Sequence, residues 1–277
     1  MRLRQILKNK ARQAIDLLPW GEDVRLYFNP AAEGIAYRGV FTSFDDALSQ
    51  VRADRSSDYD ASYNANVATR VRSGQVDITA WLHDHDYPML FWLARAIEGD
   101  SRVVDFGGSL GHLFYSVRTL FPLDPGVRWT VVELETAVAQ GRAFAEDMAE
   151  TRLEFMVSEA SSAWPDCDVF VSAGTIQYVR QSAESVIAPL PSRPAHVILH
   201  TLPVHEDRTF WTLQRIGATE LPYRIQSAAS LIEAFSAQGY ELVSRWMQAR
   251  EVRIPFRSSW RAQGYGGFYF RRTETPD

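Results

Sequence analysis

The sequence predicts an α/β fold: a doubly wound, mostly parallel sheet with an antiparallel final strand, preceded by a mainly helical N-terminal region. Three observations predict it. From Tyr87 onward, apolar runs of strand length alternate with helical patterns, and such alternation implies parallel neighbours joined by crossovers. The first of these runs, "RVVDF", ends in an acid and passes into "GGSLG", a glycine-rich turn opening the next helix. The last part of the chain breaks the rhythm, because "YELVSRWMQ" and "YGGFYFRR" are strand-like with no helical pattern between them.

Taken in order, residues 1–85 are the less regular region. "MRLRQILKNKARQAIDLLPW" reads as a short basic helix, with Leu3, Ile6, Leu7, Ala14, Leu17 and Leu18 at near-helical spacing and no acid before Asp16. Its small apolar stripe favours docking on its own domain; weak peripheral contact with an anionic membrane surface is the other reading. Ser43 caps a second helix running to Val51. Residues 86–277 form the main domain. There "YPMLFWLARAIEG" is a helix, with Pro88 near its first turn and Gly99 past its end. The strand "RVVDF" follows, then the helix "SLGHLFYSVRTLF", the strand "RWTVVEL" and the helix "ETAVAQGRAFAEDMAE". Strands "LEFMV" and "CDVFVSA", a helix around "QSAESVIAPL", the strand "AHVILHT" and a helix at "SAASLIEAFSAQG" complete the alternation. No repeat or low-complexity segment interrupts it.

Composition narrows the function classes. With 277 residues, 46% hydrophobic, the chain can bury a sizeable core, which excludes disordered and fibrous classes. The net charge is only −5 and Lys8 and Lys10 are the only lysines, so no nucleic-acid partner is expected. The single cysteine, Cys167, supports neither a disulfide scaffold nor a zinc site, and a reducing, cytoplasmic location is the expectation. No apolar run reaches membrane-span length and no signal peptide is expected.

In a doubly wound sheet, ligands bind outside the carboxyl ends of the strands. Asp105, Gly107, Gly108 and Gly111 occupy the loop after the first strand, where glycines permit positive φ and a close backbone approach. An acid at that position argues against a pyrophosphate and favours a ligand with a cationic ammonium or sulfonium. The dinucleotide spacing G-x-G-x-x-G fails at two positions when started from Gly107. "DFGGSLG" instead resembles the D/E-x-G-x-G-x-G motif of class I S-adenosylmethionine-dependent methyltransferases, with Ser109 at the middle glycine as the departure.

That resemblance covers roughly residues 86–277 and implies a Rossmann-like sheet of order 3-2-1-4-5-7-6 with S-adenosylmethionine as cofactor. Glu133, ending the second strand, would hold both ribose hydroxyls. Ser158 or Glu159 would face the adenine. Ser172, Ala173 and Gly174 would lie beside the methionyl part, with Gln177 and Tyr178 at the mouth. "TLPVHEDRTFWTLQRIG" and "GYGGFYFRR" further resemble a bacterial methyltransferase family associated with surface-polysaccharide gene clusters, which implies polysaccharide biosynthesis and O-methylation of a sugar, glycan or other small-molecule acceptor.

Methyl transfer to a hydroxyl needs alignment and removal of a proton. His200, ending the strand "AHVILH", is the leading candidate base, followed by His205 and Tyr178. His83 and His85 in "WLHDHDYP" precede the domain and can fold over the cofactor as a lid; two imidazoles without a third ligand do not define a metal site, and no metal is expected. Two alternatives stay open: a catalytically silent methyltransferase fold acting as a binding protein, and a nucleotide-cofactor oxidoreductase. The oligomeric state is not encoded in any pattern found.

Overall fold

The computed structural model describes residues 35–55, 82–158, 164–188 and 190–273, with a few positions between 18 and 24 and between 69 and 77. In chain order the elements are β1 (Ile35–Phe41), α1 (Phe44–Ser49), α2 (Tyr87–Ala96), β2 (Arg102–Phe106), α3 (His112–Leu120), β3 (Arg128–Glu133), α4 (Glu135–Asp147) and β4 (Leu153–Val157). They continue with β5 (Val169–Ala173), α5 (Ala183–Ile187), β6 (His196–His205), β7 (Phe210–Ile216), β8 (Thr219–Ser227), α6 (Ala228–Ala237), β9 (Tyr240–Gln248) and β10 (Gly264–Arg272). The basic helix expected over the first 20 residues lies almost wholly outside the described residues.

The central sheet runs β4-β3-β2-β5-β6-β10-β9. β2 to β6 are mutually parallel, and β10 is antiparallel to both of its neighbours. Numbered from β2, this is the expected order 3-2-1-4-5-7-6. The four last residues of β2 are all buried, as a strand covered on both faces demands. On one face, α2, α3 and α4 pack Leu93, Phe114 and Phe144 against Val103, Trp129 and Val131. On the other, α5 and α6 pack Val186, Leu231 and Phe235 against Val104, Phe170 and Leu199. Helix starts follow local chemistry: the Ser43 hydroxyl accepts from the Asp46 amide at α1, and the Ser227 hydroxyl from the Ser230 amide at α6.

One part of the architecture was not legible beforehand. β7 and β8 form an antiparallel hairpin inside the segment following β6, and β1 pairs with β7. β5 stops opposite His200, and β8 takes the vacated edge of β6 at Val204 and His205. The three added strands therefore stand above the carboxyl end of the parallel sheet, where Tyr223 of β8 packs on Tyr178. β1 escaped the sequence reading because only one of its seven residues is buried, so it shows no alternation, and its partner lies about 175 residues away.

Candidate functional site

The glycine loop leaves β2 at the carboxyl edge and re-enters the fold as α3. Gly107 and Gly111 have φ of +77° and +85°, and Ser109 is held at +55°, a left-handed conformation that costs a side-chain-bearing residue energy. The position where the resembling motif carries its middle glycine thus has a glycine-like backbone. A Cβ on Gly107 would lie 2.0 Å from the Thr175 hydroxyl, one on Gly108 would lie 2.4 Å from Asp105 Oδ2, and one on Gly111 would lie 2.6 Å from Leu153 Cδ2. Protein atoms, rather than space for a ligand, fill each of these directions. The glycines bring the loop down onto β5 and onto Asp105, and that closeness corrects the view that their missing side chains clear a path for a ligand.

Asp105 is likewise not at the loop surface. It is 1% exposed, beneath Gly108, and its Oδ2 accepts a hydrogen bond from the Trp129 indole at 3.2 Å. Burial pushes its pKa up to about 7, opposed by the indole hydrogen bond and reinforced by the nearby Glu133 charge. A direct ion pair with a ligand ammonium does not fit this placement; Asp105 supports the loop from below.

Glu133 stands at the strand end where the sequence placed it. It ends β3, half-buried, with Oε2 accepting from the Leu134 amide at 2.8 Å and its carboxylate also receiving the Ser109 amide. Desolvation raises its pKa, and the two backbone hydrogen bonds pull it down. The acid and the glycine loop are therefore joined at the ends of β2 and β3.

The end of β5 is tied to the same loop. Ser172 is fully buried and its hydroxyl donates to the Phe106 carbonyl at 2.9 Å, a tie between β5 and β2 rather than a ligand contact. Ala173 ends β5 half-buried, and the Gly174 amide donates to the His200 carbonyl at 2.9 Å. The Thr175 hydroxyl, which sequence reasoning missed, donates to the Gly107 carbonyl at 3.3 Å and clamps the β5 loop to the glycine loop. Ser158 is half-buried after β4; Glu159 lies outside the described residues.

The three candidate bases fare differently. Tyr178 donates to Gln214 Oε1 at 2.6 Å, in a chain that continues from Gln214 to Tyr37 and on to Tyr265 and Tyr223. It holds the added strands to the sheet. His205 spends Nδ1 on the Asp207 and Arg208 amides at 3.1 and 3.2 Å, fixing the turn after β6. The strand does not end at His200 as expected, since β6 runs on to His205; His200 lies opposite Ala173, the last residue of β5, and both of its ring nitrogens are engaged: Nε2 lies 2.8 Å from Asp86 Oδ1, and Nδ1 accepts from the Trp246 indole at 3.1 Å. With no lone pair to spare, His200 cannot take a substrate proton in this arrangement. Asp86 and Trp246 were the partners that sequence spacing could not bring to it.

A parallel sheet in this order, closed by one antiparallel strand and carrying an acid–glycine loop after its first strand, is the Rossmann-like fold of class I S-adenosylmethionine-dependent methyltransferases, and this chain has it. No protein-family model matches the chain, and no curated protein sequence matches it. Among solved structures it is similar to the N-terminal domain of EvdMO1 in the presence of SAH and D-fucose, at 15% identity, covering 69% of this chain and 84% of that one, with a TM-score of 0.49. It is also similar to the CcbJ methyltransferase from Streptomyces caelestis, at 15% identity over 78% of this chain and all of that one, with a TM-score of 0.47. An O-methyltransferase family protein from Burkholderia thailandensis shares 14% identity over 69% of this chain and 57% of its own, with a TM-score of 0.45. The fold rests on strand order and register. Among the described residues, no helix is long and apolar enough to cross a membrane.

Proposed function

We propose that this protein is an S-adenosylmethionine-dependent methyltransferase that methylates a hydroxyl of a sugar or glycan-type acceptor. The observation that carries the cofactor assignment is the union of Glu133 with the Ser109 amide across the ends of β2 and β3. A half-buried carboxylate beside a glycine-shaped loop suits a vicinal diol, because each of its oxygens accepts from one hydroxyl. The α3 amino terminus begins at Gly111 and adds partial positive charge toward a ligand carboxylate. The cofactor supplies an electrophilic methyl on a sulfonium. The chain's part is to hold it by Glu133 and the loop, to seat the acceptor against the Ala173–Gly174 edge and to accept the proton. The acceptor class rests on the sequence resemblance of "TLPVHEDRTFWTLQRIG" and "GYGGFYFRR" alone.

Calorimetric titration with S-adenosylhomocysteine tests the cofactor. Losing a hydrogen bond to a charged acceptor costs about 1.5–3 kcal/mol, so Glu133→Ala weakens binding roughly 10- to 100-fold. A 2′-deoxyribose analogue loses much less additional affinity in the variant than in the parent. No binding by the parent, or tighter binding of a nicotinamide dinucleotide, overturns the assignment. Transfer of labelled methyl groups to sugar nucleotides and polysaccharide extracts tests the acceptor class, and transfer confined to non-sugar acceptors would refute it.

A further inference from the structure

The turn before α2 holds a histidine–aspartate pair that the sheet edge completes. Asp86 is buried, and its Oδ2 accepts from the His83 amide at 2.8 Å. Its Oδ1 lies 2.8 Å from His200 Nε2 and 3.5 Å from His85 Nε2. Three features, of the β6–β10 pairing, the turn after β5 and the β9–β10 pairing, put His200 there. Leu199 pairs with Phe268 and Leu202 with Gly266, so His200 and Thr201 together face Gly267 in a β-bulge, with Thr201 at φ +56°. The Gly174 amide fixes the His200 carbonyl. Gly267 leaves room for Trp246, since a Cβ there would sit 2.0 Å from the indole ring.

Hydrogen-bond polarity assigns the protons. An indole N–H only donates, so His200 Nδ1 must accept, and neutral His200 then carries its proton on Nε2 and gives it to Asp86. His85 Nε2, His200 Nε2 and Asp86 Oδ1 lie within 4.8 Å of one another, a spacing a divalent cation could use. A cation would need the lone pair of His200 Nε2, which would move the proton to Nδ1 and set it against the indole N–H. The outer hydrogen bond that a metal-bound histidine makes is a donated one, the opposite of what Trp246 imposes.

Asp86 remains an anion. Burial raises its pKa, but hydrogen bonds from His200 and the His83 amide outweigh that and leave it below the usual carboxylate range. Beside it His85 is partly exposed, its ring stacked on His83 at 5.2 Å, and its Nδ1 makes no hydrogen bond to the described residues. We propose, resting on the methyltransferase assignment above, that His85 Nδ1 accepts the acceptor's hydroxyl proton, while His200 and Trp246 act as positioning residues that hold Asp86 against His85. As the acceptor oxygen attacks the methyl carbon, its proton passes to Nδ1, the C–S bond breaks with its electron pair going to sulfur, and Asp86 stabilises the imidazolium. The imidazolium then returns its proton to solvent. The charged and titratable groups around His85 are Asp86, His200, His83 and Arg250. Desolvation lowers its pKa first, Asp86 opposes, and the other three lower it further, so the ring is neutral and able to accept a proton near pH 7.

Histidine-resolved nitrogen NMR from pH 5 to 9 reads the arrangement without any acceptor. His200 shows the Nε2–H tautomer when neutral, and Asp86→Asn lowers the His85 midpoint by about one pH unit through loss of the adjacent charge. An Nδ1–H tautomer for His200, or an unmoved His85 midpoint, overturns the proposal. In turnover on a sugar-nucleotide panel, His85→Gln loses roughly 100- to 10,000-fold in kcat and the parent's single ionisation, with S-adenosylhomocysteine affinity held within about twofold. Near-parental turnover in the variant overturns the proposal, as does parental activity abolished by EDTA and restored by Mg²⁺ or Mn²⁺. Failure of the parent to bind S-adenosylhomocysteine instead overturns the methyltransferase assignment on which it rests.

Discussion

Replacing Asp105 with asparagine tests whether the acid under the glycine loop is a buried, neutral support. Its folded pKa of about 7 stands above the ordinary 3.8, so its contribution to stability is fully present below about pH 4 and is lost as the pH rises through 7. At about 1.4 kcal/mol per decade, the rise corresponds to about 4 kcal/mol across pH 4–8, an upper bound that water penetration reduces. Asparagine keeps an oxygen for the Trp129 indole and has no charge to bury. Urea unfolding of both proteins from pH 4 to pH 8 is the assay. The variant gains on the parent as pH rises, with most of the change between pH 4 and 7. A stability difference that stays flat within about 0.5 kcal/mol, or one that moves against the variant with rising pH, refutes the placement of Asp105 in a dry pocket.

Two further variants separate packing from chemistry. Gly107→Val puts a branched side chain at φ +77° and into Thr175, and is expected to lose at least about 2 kcal/mol of stability, read by thermal unfolding; a normally stable Val variant would show that the loop and the β5 turn do not touch. Tyr178→Phe leaves Gln214 Oε1 without its donor and costs about 1–2 kcal/mol, while S-adenosylhomocysteine affinity and turnover stay near parental; a hundredfold loss in kcat would restore Tyr178 as a candidate base.

The elements with local signatures were legible in the chain. Helix caps such as Ser43, the continuous apolar run of β2 and the alternation through β6 depend on neighbours within a few residues, and they were enough to predict a doubly wound parallel sheet and the acid–glycine loop; the strand order came from the resemblance that this loop carries. Glu133 followed from its place at a strand end. β1 and the β7–β8 hairpin did not follow, because their stability comes from pairing partners far away in the sequence.

By itself, the sequence determined the sheet, its winding and the edge at which the acid–glycine loop lies, since hydrophobic period and glycine position are local properties. Only the tertiary structure decided what each polar group does there. His200 lies opposite the last residue of β5, and its two nitrogens are claimed by Asp86, 114 residues before it, and Trp246, 46 residues after it. The glycines of the loop serve Thr175, Asp105 and Leu153. A side chain's lone pairs are assigned by whichever donors the fold brings within about 3 Å, and residue spacing along the chain does not carry that information.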